Sequence, residues 1–578
     1  MDTRRLVLFM VFVFSLFMLW ENWQRYQNPL QPAGTAQGNS AAPSVSPVLP
    51  APTTPALSGV PRPEVSLLPA TPPAESPFPA TTTASATAAE TFSVRTDLFT
   101  ARISTQGGDL VGLELNRFKA FSDREKHFDL LSAQHRYAAQ TGLGKTSGRI
   151  ELPNHKILLT PVPGSRELAA GQESFQVRLA APEVDGVKAT KVYTFRRGSY
   201  LIDVAWELEN NGTETLKPGE YFAYFQLQRD GAAPEGDSFM LSTFYGAAVY
   251  TDAEKYQKVQ YKDIAENKAQ FVRTANDGWL ALVQHYFVTA WVPQGNAPRE
   301  FKLYALENNL YAAALILPFP GLAPGGKTEV RAPLFAGPQE QSALREVAPG
   351  LDLVVDYGWL HLIAAPIFWL LSFIHSLIGN WGWAIVALTV LIKLALFPLS
   401  AASYRSMARM RQITPRLMRL KELYASDKQR LNQEMMKLYQ TEKINPLGGC
   451  LPILVQIPIF IALYWVLLGA VEMRDAPWIF WIRDLSAADP YYVLPVIMMV
   501  SMFLQTKLNP TPPDPIQAKV MMAMPFVFGV MFFFFPAGLV LYWIVNNILS
   551  IAQQWQITRM IESGGDKPKK KAANDPRA

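Results

Sequence analysis

WGWAIVALTVLIKLALFPLS, residues 381–400, decides what kind of protein this is. The stretch is uncharged except for Lys393. At about 1.5 Å per residue it is long enough to cross the ~30 Å hydrocarbon layer of a bilayer. An ammonium at membrane depth costs roughly 2.5–3.5 kcal/mol on insertion scales, so such residues usually face a polar interior. Two readings of Lys393 are open. In one it lines a wet cavity and acts on something polar that enters the membrane. In the other its long stem snorkels to the interface near Ser400, about 10 Å away.

Charge then sets the topology. Residues 403–443 carry ten Lys/Arg against four acids, a strong mark of a cytoplasmic segment. If 354–376 crossed the membrane as well as 380–401, this basic arm would face the same side as everything before residue 354. The expectation is therefore that 346–379 holds an amphipathic helix lying along the outer interface, and that 380–401 is the second span. The third to sixth spans fall within 446–558, as Pro446–Ala470, Tyr491–Thr506, Val520–Phe535 and Leu539–Ile557. The outer connection Val471–Pro490 has a net charge of −2 from Arg474 and Arg483 against Glu472, Asp475, Asp484 and Asp489. The tail 559–578 has six basic residues to three acidic ones and belongs inside.

The basic arm, 402–445, has a helical period. Met407, Met410, Leu417, Leu420 and Leu423 recur on one side, the pattern breaks at Ala425-Ser426-Asp427, and Leu431, Met435, Leu438 and Tyr439 resume it. That predicts a cytoplasmic helical hairpin with a Met-rich stripe suited to adaptable apolar contacts. Arg405, Met407, Arg409, Met410, Arg411, Met435 and Met436 are its candidate contact residues. Packing of the hairpin on itself accounts for the stripe equally well.

Before the membrane core the texture changes twice. Residues 1–27 open MDTRR and run apolar from Leu6 to Trp20 apart from Ser15. No small-residue cleavage site follows closely, so an uncleaved signal-anchor span is expected, with Arg4 and Arg5 inside. Residues 28–90 contain fourteen prolines among Ala, Ser and Thr, a composition that builds an extended tether rather than a core. From 91 to 345 short alternating runs are separated by turns. Phe99, Ala101 and Ile103 precede Gly107-Gly108, and Val192–Phe195 precedes Arg197-Gly198-Ser199 and then Ile202, Val204, Trp206 and Leu208. This is the pattern of a large β-sandwich.

The chemistry-bearing residues exclude several functions. Cys450 is the sole cysteine, so no intrachain disulfide exists. The six histidines have no ligand spacing, and no zinc, P-loop or nucleophile-elbow motif is present. No catalytic centre, metal or cofactor is expected, and nothing points to DNA. Within the spans, Thr389, Gln456, Gln505, Asn546 and Asn547 are polar. Each alone suits an interhelical hydrogen bond; gathered around Lys393 they favour a hydrated groove.

Asn445-Pro446-Leu447-Gly448-Gly449-Cys450, Gln456-Ile457-Pro458-Ile459-Phe460, Asp489-Pro490-Tyr491-Tyr492 and Phe535-Pro536-Ala537-Gly538-Leu539-Val540-Leu541-Tyr542 occur in that order. They resemble the YidC-type membrane protein insertases closely over 350–560. The order of anchor, tether, β domain and core extends the likeness to the whole chain, in the Gram-negative form. The resemblance implies a polytopic α-helical membrane protein of six spans. Five of these form an insertase core, and the β domain is a periplasmic β-supersandwich. It implies a non-enzymatic insertase and chaperone of the bacterial inner membrane, with both termini cytoplasmic. Its implied partners are nascent membrane proteins, the lipid bilayer, the Sec translocon, and the ribosome through the basic hairpin and tail. The family places a positive residue, usually arginine, on the second span, where this chain has Lys393. The charge is kept and the planar fork is lost, which favours a field effect over a carboxylate clamp. Two other classes stand beside this reading: a membrane-anchored periplasmic carbohydrate-binding protein, and a small-solute transporter. The latter usually carries inverted repeats, and none is visible.

Overall fold

The computed structural model describes residues 90–564 apart from 122, 233–243, 358–359, 426, 443–450 and 509–514. The expected anchor, nearly all of the expected tether, Cys450 and the tail beyond 564 lie outside the described residues.

Alternation builds the first half. Phe99–Ser104 and Leu110–Lys119 pair antiparallel across Gly107-Gly108, whose φ angles are 65° and 62°. A Cβ on Gly107 would fall 2.4 Å from the His155 carbonyl oxygen, so both the turn and the close approach require glycine there. Val187–Arg196 and Leu201–Asn210 pair in the same way, with Val192 opposite Ala205. Because side chains alternate along a strand, Ile202, Val204, Trp206 and Leu208 all turn into the core.

Two antiparallel sheets result, each of nine strands among the described residues. In one, Tyr221–Asp230 lies between Ala138–Lys145 and Leu310–Pro318. In the other, Leu201–Asn210 lies between Val187–Arg196 and Lys327–Pro338. The inner faces meet through Phe225 and Trp291, with ring centres 5.2 Å apart, and through the Trp206 indole N–H, which donates to Thr141 Oγ1 at 3.0 Å. One polar element sits among them. The fully buried Lys191 lies 3.5 Å from Asp109 and donates to the Gly107 carbonyl at 3.0 Å, tying the glycine turn to the opposite sheet. Burial pushes Asp109 up to about 6 and Lys191 down to about 8, while their mutual attraction opposes both shifts.

The second half is helical: α1 (His361–Ile378), α2 (Trp381–Ala395), α3 (Phe397–Leu423), α4 (Lys428–Thr441), α5 (Leu451–Gly469), α6 (Val493–Leu508), α7 (Pro515–Phe532) and α8 (Ala537–Gly564). Gly379 ends α1 with φ 74°, and the Asn380 side chain then caps α2 by accepting from the Trp383 N–H. The stretch 380–401, expected as one span, is broken: α2 and the start of α3 meet at a 66° bend around Leu396. Pro398 in the first turn of α3 is the physical reason, since it has no N–H to continue the α2 ladder. The basic arm is thus continuous with the last apolar turns after Lys393. Asp427 begins the hairpin's second helix by accepting from the Arg430 N–H.

By length and composition α1 is itself a candidate membrane span, and α2 with Phe397–Met407 passes the same test as a bent pair. Val455–Gly469, Val493–Leu508 and Ala518–Phe532 are shorter apolar helices. α1 is two-faced. Ala364, Phe368, Leu371 and Ile374 are buried where it packs on α2 and α5, while Leu362, Trp369, Phe373 and Leu377 are exposed.

The β domain and the helices share one apolar cluster, which runs from Ala248, Trp279 and Phe335 through Leu344, Leu351 and Val354 to Ala364, Ala384 and Leu467. Polar contacts reinforce it at the end of α5 and on the connection from α5 to α6. Arg124 of the β domain reaches Asp475 at 2.7 Å and also Asp484, and the His285 ring lies 3.0 Å from the Leu468 carbonyl.

Candidate functional site

Lys393 lies one helical turn after Thr389 on α2, and both side chains are buried, at 6% and 1% exposure. Its Nζ donates to Ser550 Oγ on α8 at 2.7 Å. Ser550 in turn donates to the Asn546 carbonyl one turn earlier at 2.7 Å. The Asn546 side-chain oxygen accepts from Gln456 Nε2 on α5 at 2.6 Å. A polar chain therefore crosses three apolar helices. Among the described residues no carboxylate pairs with Lys393.

Asn546 and Ser550 share a face because they are four residues apart, whereas Asn547 is turned about 100° away. Asn547 accordingly does not join this chain. Its amide donates to Ser501 Oγ on α6 at 3.1 Å, and Gln554, on the same side of α8, donates to the Leu508 carbonyl at 3.0 Å. Gln505, half-buried on α6, makes no hydrogen bond to either set. Thr389 Oγ1 donates to the Ile385 carbonyl at 2.7 Å, a bond within its own helix. Of the polar residues singled out in the sequence, the structure thus joins Lys393, Asn546 and Gln456, keeps Thr389 beside them, and sets Asn547 and Gln505 apart. Ser550 and Ser501 were not singled out. For Ser550 the signal is its place one turn after Asn546 and one turn before Gln554 on α8; Ser501, flanked by apolar residues on α6, carries none.

In the hairpin, Ile413 and Leu417 are buried, while Met418, Leu423 and Met436 are exposed. Met407, Met410 and Met435 are half-buried, and Arg405 and Arg409 are exposed. The Arg411 side chain lies outside the described residues. Arg416 on α3 pairs with Glu442 at the end of α4 at 2.7 Å, closing the hairpin. Part of the Met-rich stripe is used internally and part stays open. No group of His, Cys, Asp and Glu among the described residues is arranged to hold a metal ion.

Residues 91–370 match the family model of the YidC periplasmic domain, and 373–564 match that of the 60Kd inner membrane protein. Membrane protein insertase YidC of Dechloromonas aromatica is 59% identical over the full length of both chains. The chain belongs to the YidC family of membrane protein insertases. The YidC insertase of Aromatoleum aromaticum is 57% identical over 98% of this chain and 100% of its own. A crystal structure of an active YidC insertase with its first transmembrane domain resolved aligns over 80% of this chain and 91% of its own, at 18% identity and a TM-score of 0.35. The family assignment rests on the sequence relatives. This YidC-family insertase is a multi-pass inner-membrane protein and not an enzyme. The periplasmic-domain match takes in both antiparallel sheets and the first half of α1, the second match takes in the helices that follow, and the protein acts on nascent membrane proteins at the lipid bilayer. A carbohydrate-binding anchor protein and a small-solute transporter are set aside by that membership.

Proposed function

We propose that insertion runs through a hydrated groove bounded by α2, α5 and α8, with Lys393 as its fixed positive charge. One observation carries the reading: an ammonium buried among apolar helices is held by a serine hydroxyl and, among the described residues, by no acid. A cation with a neutral partner keeps its field, and that field would draw in a short client segment bearing Asp or Glu. Water around the polar chain shortens the low-dielectric path and lowers the crossing cost of the client's polar tail. The client's apolar helix then slides into lipid along α5 and α7, which expose Val455, Ile457, Phe526, Val527 and Val530. No nucleotide is needed in this scheme.

The topology that fits the charge bias has six spans and both termini in the cytoplasm. α1 lies along the outer interface, with Leu362, Trp369, Phe373 and Leu377 toward lipid. The bent basic arm α3 with α4 forms the cytoplasmic hairpin. Its exposed Arg405, Arg409 and Met436, together with the basic tail, would meet the ribosome and arriving clients. The Sec translocon is the partner for larger clients.

The test is site-specific photocrosslinking of a stalled nascent membrane protein from positions 389, 456 and 546. Crosslinks from all three, lost when the client's apolar helix is shortened, are expected. Crosslinks confined to the outer face of α1 would overturn the groove.

A further inference from the structure

Ser550 was not among the polar residues that the sequence singled out, yet its oxygen is the atom that Lys393 touches. We propose that Ser550 is the positioning residue for Lys393. It fixes the depth of the ammonium in the groove while leaving its charge uncancelled. This rests on the groove reading above and names the group on which that reading depends.

The direction of the hydrogen bonds carries the inference. A serine hydroxyl has one proton and two lone pairs. At Ser550 that proton is given to the Asn546 carbonyl at 2.7 Å, the usual back-bond of a helical serine. The oxygen therefore has only lone pairs to offer toward α2, and Lys393 Nζ donates to it at 2.7 Å. The Tyr404 hydroxyl on α3 approaches the same serine. Asn546, whose carbonyl orients the serine, is itself held through its side chain by Gln456 of α5. The acceptor is thus fixed by three helices before the lysine arrives.

A lysine stem has four rotatable carbons and reaches the interface readily when nothing holds it. Here Ser550, itself 3% exposed, holds it inward. The choice of a hydroxyl matters. An aspartate at 550 would bind the ammonium more strongly but would neutralise it, and an alanine would leave it free to snorkel. One N–H goes to Ser550, and the ammonium keeps two further N–H groups with no carboxylate among the described residues paired to them. Those two donors are what an incoming acid would meet.

The competing explanation is that Ser550 is small and merely lets α2 and α8 pack closely. Ser550→Ala keeps the size and removes the acceptor, Ser550→Thr keeps the hydroxyl, and Ser550→Asp supplies the neutralising charge. The experiment measures insertion, in the full-length protein, of a client with an acidic translocated segment. Its twin, with those acids changed to Asn and Gln, is measured alongside. All values are normalised to the variant present in the membrane, and the readout is the acidic-to-neutral ratio. Ser550→Ala should lower that ratio roughly fivefold, the loss expected of one net hydrogen bond. Ser550→Asp should lower it as far as Lys393→Leu does, and Ser550→Thr should leave it near the parent value. Lys393→Leu combined with Ser550→Ala should be no worse than Lys393→Leu alone. If Lys393→Leu lowers the ratio while Ser550→Ala and Ser550→Asp leave it unchanged, Ser550 does not position the lysine. An additive double variant, or equal loss of both clients in Ser550→Ala and Ser550→Thr, assigns Ser550 to packing and overturns the proposal. If Lys393→Leu itself leaves the ratio unchanged, the groove charge fails first and Ser550 falls with it.

Discussion

The guanidinium carbon of Arg474 lies 3.8 Å from the centre of the Phe121 ring, joining the connection after α5 to the β domain. Phe128, Phe287 and Tyr286 surround the same group at 5.1, 5.2 and 5.8 Å. Asp475 lies 3.8 Å from its Nε, and the Lys119 carbonyl also accepts from it. The side chain is almost fully buried, and burial pushes its pKa down while Asp475 and Asp484 hold it up. A buried cation of this kind is tolerated because ring faces and acids replace its water.

Removing that cation should loosen the domain junction. Arg474→Ala empties an aromatic cage and leaves Asp475 paired with Arg124 alone, a loss on the order of 2 kcal/mol for a desolvated cation among ring faces. Arg474→Lys should fall between, because it keeps the charge and loses the planar stacking surface. Spin-label distances between the β domain and α6 should broaden in the alanine variant. An unchanged, narrow distribution would show that the apolar cluster alone sets the docking.

Deleting roughly 95–330 should leave insertion of simple clients intact. The deletion takes away Phe121, Phe128, Tyr286 and Phe287, but it also opens Arg474 to water, where a guanidinium carries no burial cost. The polar chain from Lys393 to Gln456 lies wholly outside the deleted residues. Exposure of Leu344, Leu351 and Val354 should lower thermal stability. Complete loss of insertion with the truncated protein still present in the membrane would contradict this.

The junction should also respond to pH. Glu472, half-buried after α5 with its Oε2 enclosed, is pushed up to about 7 by burial and then by the neighbouring Glu340, against its own and Gln341's backbone N–H groups. A carboxyl raised in the folded state favours folding when protonated, so its contribution is full at low pH and declines as pH rises from about 4.5 to about 7. Glu472→Gln should therefore match the parent near pH 5 and exceed it near pH 8 by on the order of 2 kcal/mol. Thermal unfolding of both proteins at the two pH values checks it. A difference of the same size at both would remove the titration. Asp109, raised to about 6, acts in the same sense in both proteins and cancels in the comparison.

Cysteine accessibility tests the topology. Ala425 in the hairpin and Phe480 in the outer connection are both exposed, so a cysteine at either position will react with reagent on its own side. In a Cys450→Ser background, residue 425 should label only from the cytoplasm and residue 480 only from the periplasm. Labelling of 425 from the periplasm would overturn the six-span arrangement.

Much of this was legible in the sequence, for identifiable reasons. Strand alternation around Trp206 and the Gly107-Gly108 turn are local signals, and both fell where expected. The break at Leu396 was legible in principle from Pro398, but the apolar run through Ser400 masked it. The docking through Arg474 was not legible. An arginine among acids in a short loop reads as solvated, and its ring partners lie more than three hundred residues earlier in Phe121 and Phe128. Lys191 is illegible for the same reason, since its partner Asp109 sits beside the glycine turn of the other sheet. In the polar chain across α2, α8 and α5, composition found Lys393, Gln456 and Asn546. It could not separate Asn546 from Asn547, because which of two adjacent residues faces α5 and which faces α6 depends on the rotation of α8.

The most direct test of the central claim is insertion of an acidic client by Lys393 variants, compared with its neutralised twin. If the lysine only snorkels, Lys393→Leu should be neutral or slightly stabilising. If it supplies the groove's field, opposite charges ~6 Å apart at an effective dielectric of ~20 attract by roughly 3 kcal/mol. Lys393→Leu and Lys393→Glu should then impair the acidic client, Lys393→Arg should work, and the neutralised twin should depend less on the residue. Equal insertion of the acidic client by the parent and by Lys393→Glu would contradict the account.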